Sequence, residues 1–352
     1  MNKKIDVFVV DDSAFMRKVI SDMLQSDRRI RVISTAKNGK EALEKLKKIT
    51  PDVITLDVEM PVMDGLSTLK KIMETKPLPV LMVSSLTTEG AKETIKAFEY
   101  GAVDFITKTS GPISLDLYKI KDDLINKVIL ASNVKMSTVL PASREKGSRQ
   151  LRQKAGTSQC STVFSKIVAI GTSTGGPKAL HEVITKLPKN FCAPILIVQH
   201  MPPGFTKSLA ERLNSLSEIE VKEASHGEEI KSGIAYIAPG GFHLTVKNSS
   251  GKLLIQLDES APKSGHRPSV DVMFESLSQL KGYQIISVIM TGMGKDGSEG
   301  LVALKKNGNC YCIAESEESS VVFGMPKAAI QTNMVDEVVH LKDIAAKIMT
   351  LC

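Results

Sequence analysis

The chain is poor in several features that would otherwise assign it a class. Its five cysteines, Cys160, Cys192, Cys310, Cys312 and Cys352, are odd in number and none forms a Cys-X-X-Cys pair. That pattern indicates neither a disulfide framework nor a zinc site. Cys310 and Cys312, two apart in an apolar stretch, read as small buried hydrophobes on one strand face. No run is long and apolar enough to span a bilayer. Asp6, Asp11 and Asp12 interrupt the N-terminal apolar run, so it is not a secretory signal. A soluble, cytoplasmic protein without membrane insertion is expected. A broad cationic face is missing too. The net charge is +7, but residues 131–165 hold six basic residues against Glu145 alone, which leaves about two charges for everything else. Nucleic acid is therefore not an expected partner.

The 352 residues, 42% of them hydrophobic, suffice for two packed domains. Residues 1–130 alternate short apolar runs with amphipathic stretches. Strands are predicted at Ile5–Val10, Arg31–Thr35, Val53–Leu56, Val80–Val83 and Val103–Ile106. Helices are predicted at Ala14–Leu24, Lys40–Lys47, Ser67–Met73, Lys92–Glu99 and Leu115–Ile129. Five β/α units make a doubly wound parallel sheet, whose ligand site lies at the C-terminal ends of the strands. Polar residues gather at those ends: Asp11 and Asp12 after the first strand, Asp57 closing the third, Ser84 and Ser85 after the fourth, Lys108 after the fifth. Carboxylates collected at one edge repel one another, and a hard cation such as Mg2+ with oxygen ligands offsets that repulsion. A carboxylate there can also accept a phosphoryl group, whose oxygens Lys108 and Ser84 would bind.

This set resembles the receiver domain of two-component response regulators. The matching pieces are Asp11-Asp12, Asp57 within Asp57-Val58-Glu59-Met60-Pro61-Val62-Met63-Asp64-Gly65, Ser84, and Asp104-Phe105-Ile106-Thr107-Lys108. The resemblance implies a flavodoxin-like fold, Asp57 as phosphoacceptor, Mg2+ held by Asp11, Asp12 and Asp57, phosphate sensing by Ser84 and Lys108, and Phe105 as an aromatic switch. Residues 131–160, with Pro141, Gly147, Gly156, many serines and threonines and scattered basic residues, read as a flexible basic linker.

In the third segment, residues 161–352, the α/β rhythm returns. The apolar run Lys166–Ile170 reads as a strand, Gly171-Thr172-Ser173-Thr174-Gly175-Gly176-Pro177 as a tight turn and Lys178–Ile184 as a helix. Gly171, Ser173 and Gly175 fit G-x-S-x-G. The same turn could hold a phosphate at the helix N-terminus, and the stretch alone leaves both readings open. Further strands are predicted at Pro194–Val198 and Ile285–Met290, helices at Pro203–Ser215, Ser269–Gln279 and Asp296–Lys306, and smaller strands and hairpins over Glu220–Leu257. Three strand ends then present Ser173, His200 and Asp296, the groups that nucleophilic acyl transfer needs. Backbone N–H groups near Thr174 or Met293 could bind the oxyanion. His266, in a loop, reads as a substrate contact. The order Ser, His, Asp differs from that of common α/β-hydrolases, so a different fold with a convergent triad is expected.

Ile170-Gly171-Thr172-Ser173-Thr174-Gly175-Gly176, Gln199-His200-Met201-Pro202-Pro203-Gly204-Phe205, His266-Arg267-Pro268-Ser269-Val270-Asp271, Thr291-Gly292-Met293-Gly294-Lys295-Asp296-Gly297 and Val322-Phe323-Gly324-Met325-Pro326 resemble the chemotaxis methylesterase family CheB. Thr172 stands where that family commonly has alanine. The resemblance implies a Rossmann-like α/β domain with an added β-hairpin region, needing no cofactor for the esterase chemistry. It also implies glutamate γ-methyl esters on chemoreceptors as substrates, deamidation of receptor glutamines, a chemotaxis histidine kinase as phosphodonor, a monomer, and a receiver that inhibits until phosphorylated. Two readings of other classes compete. A DNA-binding output domain finds no helix-turn-helix module. A nucleotide site finds neither G-x-G-x-x-G nor G-K-[ST] in the Gly171–Pro177 loop, and leaves His200 and Asp296 unexplained.

Overall fold

The computed structural model describes residues 3–108, 115–136, 164–307 and 309–352, with side chains of residues 115–119 excepted. The chain divides into two compact units, Met1–Arg144 and Glu145–Cys352. The predicted linker 131–160 straddles that division, and its part from residue 137 onward lies outside the described residues.

In the first unit the order is β1 (Ile5–Val10), α1 (Ala14–Gln25), β2 (Ile30–Ala36), α2 (Gly39–Leu46), β3 (Val53–Asp57), α3 (Gly65–Thr75), β4 (Val80–Ser84), α4 (Thr88–Glu99), β5 (Asp104–Thr107) and α5 (Leu115–Ser132). All five predicted β/α units are present, and α5 runs three residues past its predicted end. The sheet order is β2-β1-β3-β4-β5, every pair parallel. β3 and β4 are buried along their whole length, as near-continuous apolar runs in a sheet covered on both faces must be. Helix starts are fixed by side-chain caps. Ser13, Asn38, Asp64 and Thr87 each accept the N–H of the residue three positions on. These caps set how soon each helix begins after its strand, and so how tightly the loops close over the carboxyl edge of the sheet.

The second unit comprises β6 (Lys166–Thr172), α6 (Gly176–Ile184), β7 (Ile195–Gln199), α7 (Phe205–Leu216), β8 (Glu220–Glu223), β9 (Ile234–Ile237), β10 (His243–Ser249), β11 (Lys252–Asp258), α8 (Val270–Ser278), β12 (Gln284–Ile289), α9 (Ser298–Lys306), β13 (Cys310–Glu315), α10 (Met325–Gln331), β14 (Glu337–Val339) and α11 (Leu341–Leu351). Seven strands form one parallel sheet, β14-β13-β12-β6-β7-β9-β8. The Glu220–Leu257 region departs from expectation. β8 and β9 extend the main sheet in parallel, and only β10 and β11 form an antiparallel hairpin. Period-two alternation reports a half-buried strand but not the direction of its partner. Ile167–Ile170 at the sheet centre have no exposed surface, and each isoleucine or valine buried so contributes about 1.5–3 kcal/mol of transfer free energy. The chain winds from β6 to β7 on one side, while β12 returns on the other. The switch point between β6 and β12 is where a doubly wound sheet opens a crevice.

Candidate active sites of the two units

At the carboxyl edge of the first sheet, Asp11 follows β1, Asp57 ends β3 and Lys108 follows β5. The Lys108 Nζ lies 2.7 Å from Asp57 Oδ2 and 3.0 Å from Asp11 Oδ2. Burial pushes the Asp57 carboxyl up to about 6, against the pull of Lys108 and with help from the Asp11 charge. Burial works against the Lys108 ammonium, but its two carboxylate neighbours more than offset it and raise its affinity for the proton. Asp11, Asp12 and Asp57 each offer an oxygen within 4.8 Å of the others, and Asp12 is exposed. The Oδ2 atoms of Asp11 and Asp57 are buried, and Lys108 Nζ is the partner they share among the described residues. Two buried carboxylate oxygens with a single ammonium between them, converging with a third carboxylate, suit a hard divalent cation that keeps several waters. Ser84 is fully buried, and its hydroxyl donates to Gly90 O at 3.1 Å rather than to the acidic cluster. Phe105 is turned into the core, edge-on to Phe98 at 6.1 Å, with the Lys127 ammonium 5.4 Å from its ring centre.

In the second unit, register brings the three predicted groups together. Thr172 pairs with Gln199, and His200 N–H donates to Thr172 O at 3.2 Å, so Ser173 and His200 leave adjacent strands side by side. On the other flank Gly171 pairs with Ile289, and Ser173 N–H donates to Thr291 O at 3.0 Å. Gly175 turns the chain into α6 at φ +79°, a conformation that side chains with a Cβ resist. A Cβ on Gly292 would lie 2.8 Å from Ser173 Cβ, so the Gly292–Met293 peptide sits against the serine. Among the described residues the Met293 N–H meets no acceptor. The Thr174 C=O accepts the Thr291 hydroxyl at 2.9 Å.

His200 Nε2 lies 2.8 Å from Asp296 Oδ2. The carboxylate also accepts the Ser269 hydroxyl at 2.8 Å and the N–H groups of Val270, Asp271 and Gly297 at 2.7, 3.0 and 3.1 Å. Burial alone would raise its proton affinity, but His200 and these N–H groups outweigh it and hold the carboxyl well below the usual range. His200 Nδ1 is buried and has no hydrogen-bond partner among the described residues. The ring of His266 lies flat on that of His200, 3.9 Å between centres and 7° between planes. An imidazole anchored through Nε2, with Nδ1 unengaged, is able to accept a proton at Nδ1.

The model of the family described as CheB methylesterase matches residues 168–348, which spans the whole of this constellation. The chain belongs to that family. A second match, to the response regulator receiver domain, covers residues 7–117. CheB-family relatives resemble the chain from end to end. The protein-glutamate methylesterase/protein-glutamine glutaminase of Halalkalibacterium halodurans is 59% identical over 100% of this chain and 99% of its own. That of Bacillus subtilis is 52% identical over 98% and 97%. The crystal structure of the Thermotoga maritima CheB methylesterase catalytic domain is 50% identical, covers 54% of this chain and 100% of its own, and superposes with a TM-score of 0.53. No helix among the described residues is long and apolar enough to cross a membrane.

Several residues of the CheB-type site escape sequence reasoning. Thr291 ties the nucleophile turn from three sides. Its C=O accepts both Ser173 N–H and the Thr172 hydroxyl, and its own hydroxyl donates to Thr174 O. Its N–H donates at 2.8 Å to Glu315, a fully buried carboxylate that burial pushes up to about 7. Ser269 caps α8 and at the same time supports Asp296. The predicted helix Ser269–Gln279 counts Ser269 as its first residue, whereas it is the cap before Val270, and its reach to Asp296 leaves no trace in the sequence.

Proposed function

We propose that the protein is a phosphorylation-regulated serine esterase that hydrolyses glutamate γ-methyl esters on methyl-accepting chemoreceptors. The observation that carries the reading is the register that sets Ser173 beside His200, with His200 anchored on Asp296 and its second nitrogen unengaged. In this reading His200 Nδ1 takes the Ser173 hydroxyl proton as the oxygen attacks the ester carbonyl. N–H groups of the Thr174 and Met293 region face the oxyanion. Methanol departs with the proton from His200. Water, activated by the same imidazole, then releases glutamate and restores Ser173. On a glutamine side chain the same steps release ammonia, which fits the second activity in the names of the relatives.

The first unit fits the control of this reaction. Asp57 is the phosphoacceptor, and a chemotaxis histidine kinase supplies the phosphoryl group. Asp11, Asp12 and Asp57 would hold Mg2+, which when bound neutralises charge on the phosphoryl oxygens. Lys108 and Ser84 bind those oxygens, and Ser84 must turn from Gly90 to do so. The protein acts in the cytoplasm as a monomer. The test is methanol release from membranes carrying methylated chemoreceptor. Ser173→Ala and His200→Ala should fold and lose nearly all activity, and a folded Ser173→Ala that releases methanol at the normal rate would overturn the reading.

A further inference from the structure

Gln199 is the last residue of β7, 2% exposed, and the reaction just described gives it no task. Its side-chain nitrogen makes two hydrogen bonds, to Ser173 O at 3.0 Å and to His200 O at 3.2 Å. One amide therefore grips the backbone of the residue that attacks and of the residue that takes the proton. The orientation is forced, since the opposite one would face an oxygen against two carbonyl oxygens. Its Oε1 is buried without a hydrogen-bond partner among the described residues, and a Cβ on Gly176 would lie 1.9 Å from it. The start of α6 thus closes over the amide and leaves it no room to swing. A buried acceptor left unsatisfied costs about 1–3 kcal/mol. That cost is borne where another residue, had only packing mattered, would serve better.

Resting on the triad reading above, we propose that Gln199 is a positioning residue that sets the Ser173–His200 separation by holding both carbonyls with one NH2 group. The register of β6 and β7 brings the two residues to the same edge, but their carbonyls lie beyond the paired segment of the strands. Backbone there is held by the turn itself, where Gly176 N–H donates to Ser173 O at 2.8 Å, and by what crosses between the loops. Glutamine supplies two donors on one nitrogen at the required reach. Asparagine falls a methylene short. Methionine has the length and no donor. A glutamate carboxylate would face two carbonyl oxygens with no proton to give, and its protonated form could donate to one of them. Misplacing reacting atoms by about 1 Å costs on the order of a hundredfold in rate.

The experiment measures kcat and KM for methanol release by the full chain on methylated receptor membranes. The rate of Ser173 labelling by a serine-directed sulfonyl fluoride is a second readout that needs no receptor. Gln199→Met should lower kcat and the labelling rate by about tenfold to a hundredfold, with KM within about twofold. Gln199→Glu should be slow at about pH 8 and gain on wild type as pH falls toward about 6, because burial against two carbonyls raises the carboxyl pKa and its protonation restores a donor. A Gln199→Met protein with kcat within twofold of wild type overturns the proposal, as does a ratio of Gln199→Glu to wild type that does not change with pH. The glutamate variant, nearly the same shape as glutamine, decides the matter should the methionine variant fail to fold. Ser173→Ala measured alongside separates the two ideas. An active Ser173→Ala removes the triad, whereas a dead Ser173→Ala beside a fast Gln199→Met removes only the role of Gln199.

Discussion

Replacing Asp296 with asparagine turns the donor count around one carboxylate into a rate. Oδ1 faces three donors, the Ser269 hydroxyl and the N–H groups of Asp271 and Gly297. Oδ2 faces Val270 N–H and His200 Nε2. An asparagine must place its NH2 on one side. At the Oδ1 position it confronts two backbone N–H groups, and at the Oδ2 position only one. Each buried N–H left without an acceptor costs about 1–3 kcal/mol, so the second placement is favoured by about that amount, or roughly tenfold to a hundredfold in population. In the favoured placement the amide donates to His200 Nε2. The ring proton then moves to Nδ1, the nitrogen that must accept from Ser173, and the base is lost. The minority with the correct tautomer lacks the negative charge 2.8 Å from the imidazolium formed during reaction. At an effective dielectric near 20, and with the two delocalised charges centred about 4 Å apart, such a charge contributes up to about 4 kcal/mol. Together the two effects predict a fall in kcat of about 10³–10⁴, smaller than that from removing Ser173, with one orphaned N–H as the main cost to stability. Methanol release and a thermal melt on the same preparation measure both. A folded Asp296→Asn enzyme within tenfold of wild type would refute this account of the carboxylate.

Other tests address separate parts of the molecule. The folded-state pKa of Asp57 is about 6 against an ordinary 3.8, so the folded chain binds the extra proton between those values. Stability therefore rises as pH falls through that window and is lost as pH rises through it, by on the order of 3 kcal/mol. In Mg2+-free urea titrations Asp57→Asn should stabilise the first unit at pH 7 and make little difference near pH 4; parallel curves across that range would contradict the assignment. Gly292→Ala puts a methyl 2.3 Å from Met325 Sδ and 2.8 Å from Ser173 Cβ. It should cost about 1–3 kcal/mol in stability and at least tenfold in kcat, and an unchanged kcat would show that the peptide beside Ser173 yields freely. A fragment beginning near Ser161 should hydrolyse receptor esters faster than the unphosphorylated full chain at equal concentration; equal rates would show that the receiver does not inhibit.

The sequence discloses what depends on strand ends. Parallel strands finish at one edge, so Ser173, His200 and Asp296, or Asp11, Asp57 and Lys108, can be grouped once the strands are recognised. Pairing between distant segments leaves no local trace. β8 and β9 carry the alternation of a hairpin region, yet they pair in parallel at the end of a seven-stranded sheet. Buried polar helpers are equally silent. Gln199 and Thr291 read as polar residues after predicted strands and Glu315 draws no reading, and only the fold shows that they tie the loops carrying Ser173, His200 and Asp296. The Ser84 hydroxyl shows a further limit, since its position was legible but its present partner, Gly90 O, was not.

The two reactive edges treat the same amino acid in opposite ways. Asp296 is enclosed by five hydrogen-bond partners, which lower the nucleophilicity of its oxygens. Asp57 Oδ2 has a single partner among the described residues, the Lys108 ammonium 2.7 Å away. Chemical insulation between the two reactions follows. A small acyl phosphate that wanders into the esterase crevice finds no carboxylate nucleophile there, and label from it should accumulate on Asp57 alone. On the proposed reading one chain carries anhydride chemistry and ester chemistry at once without either group migrating to the wrong aspartate.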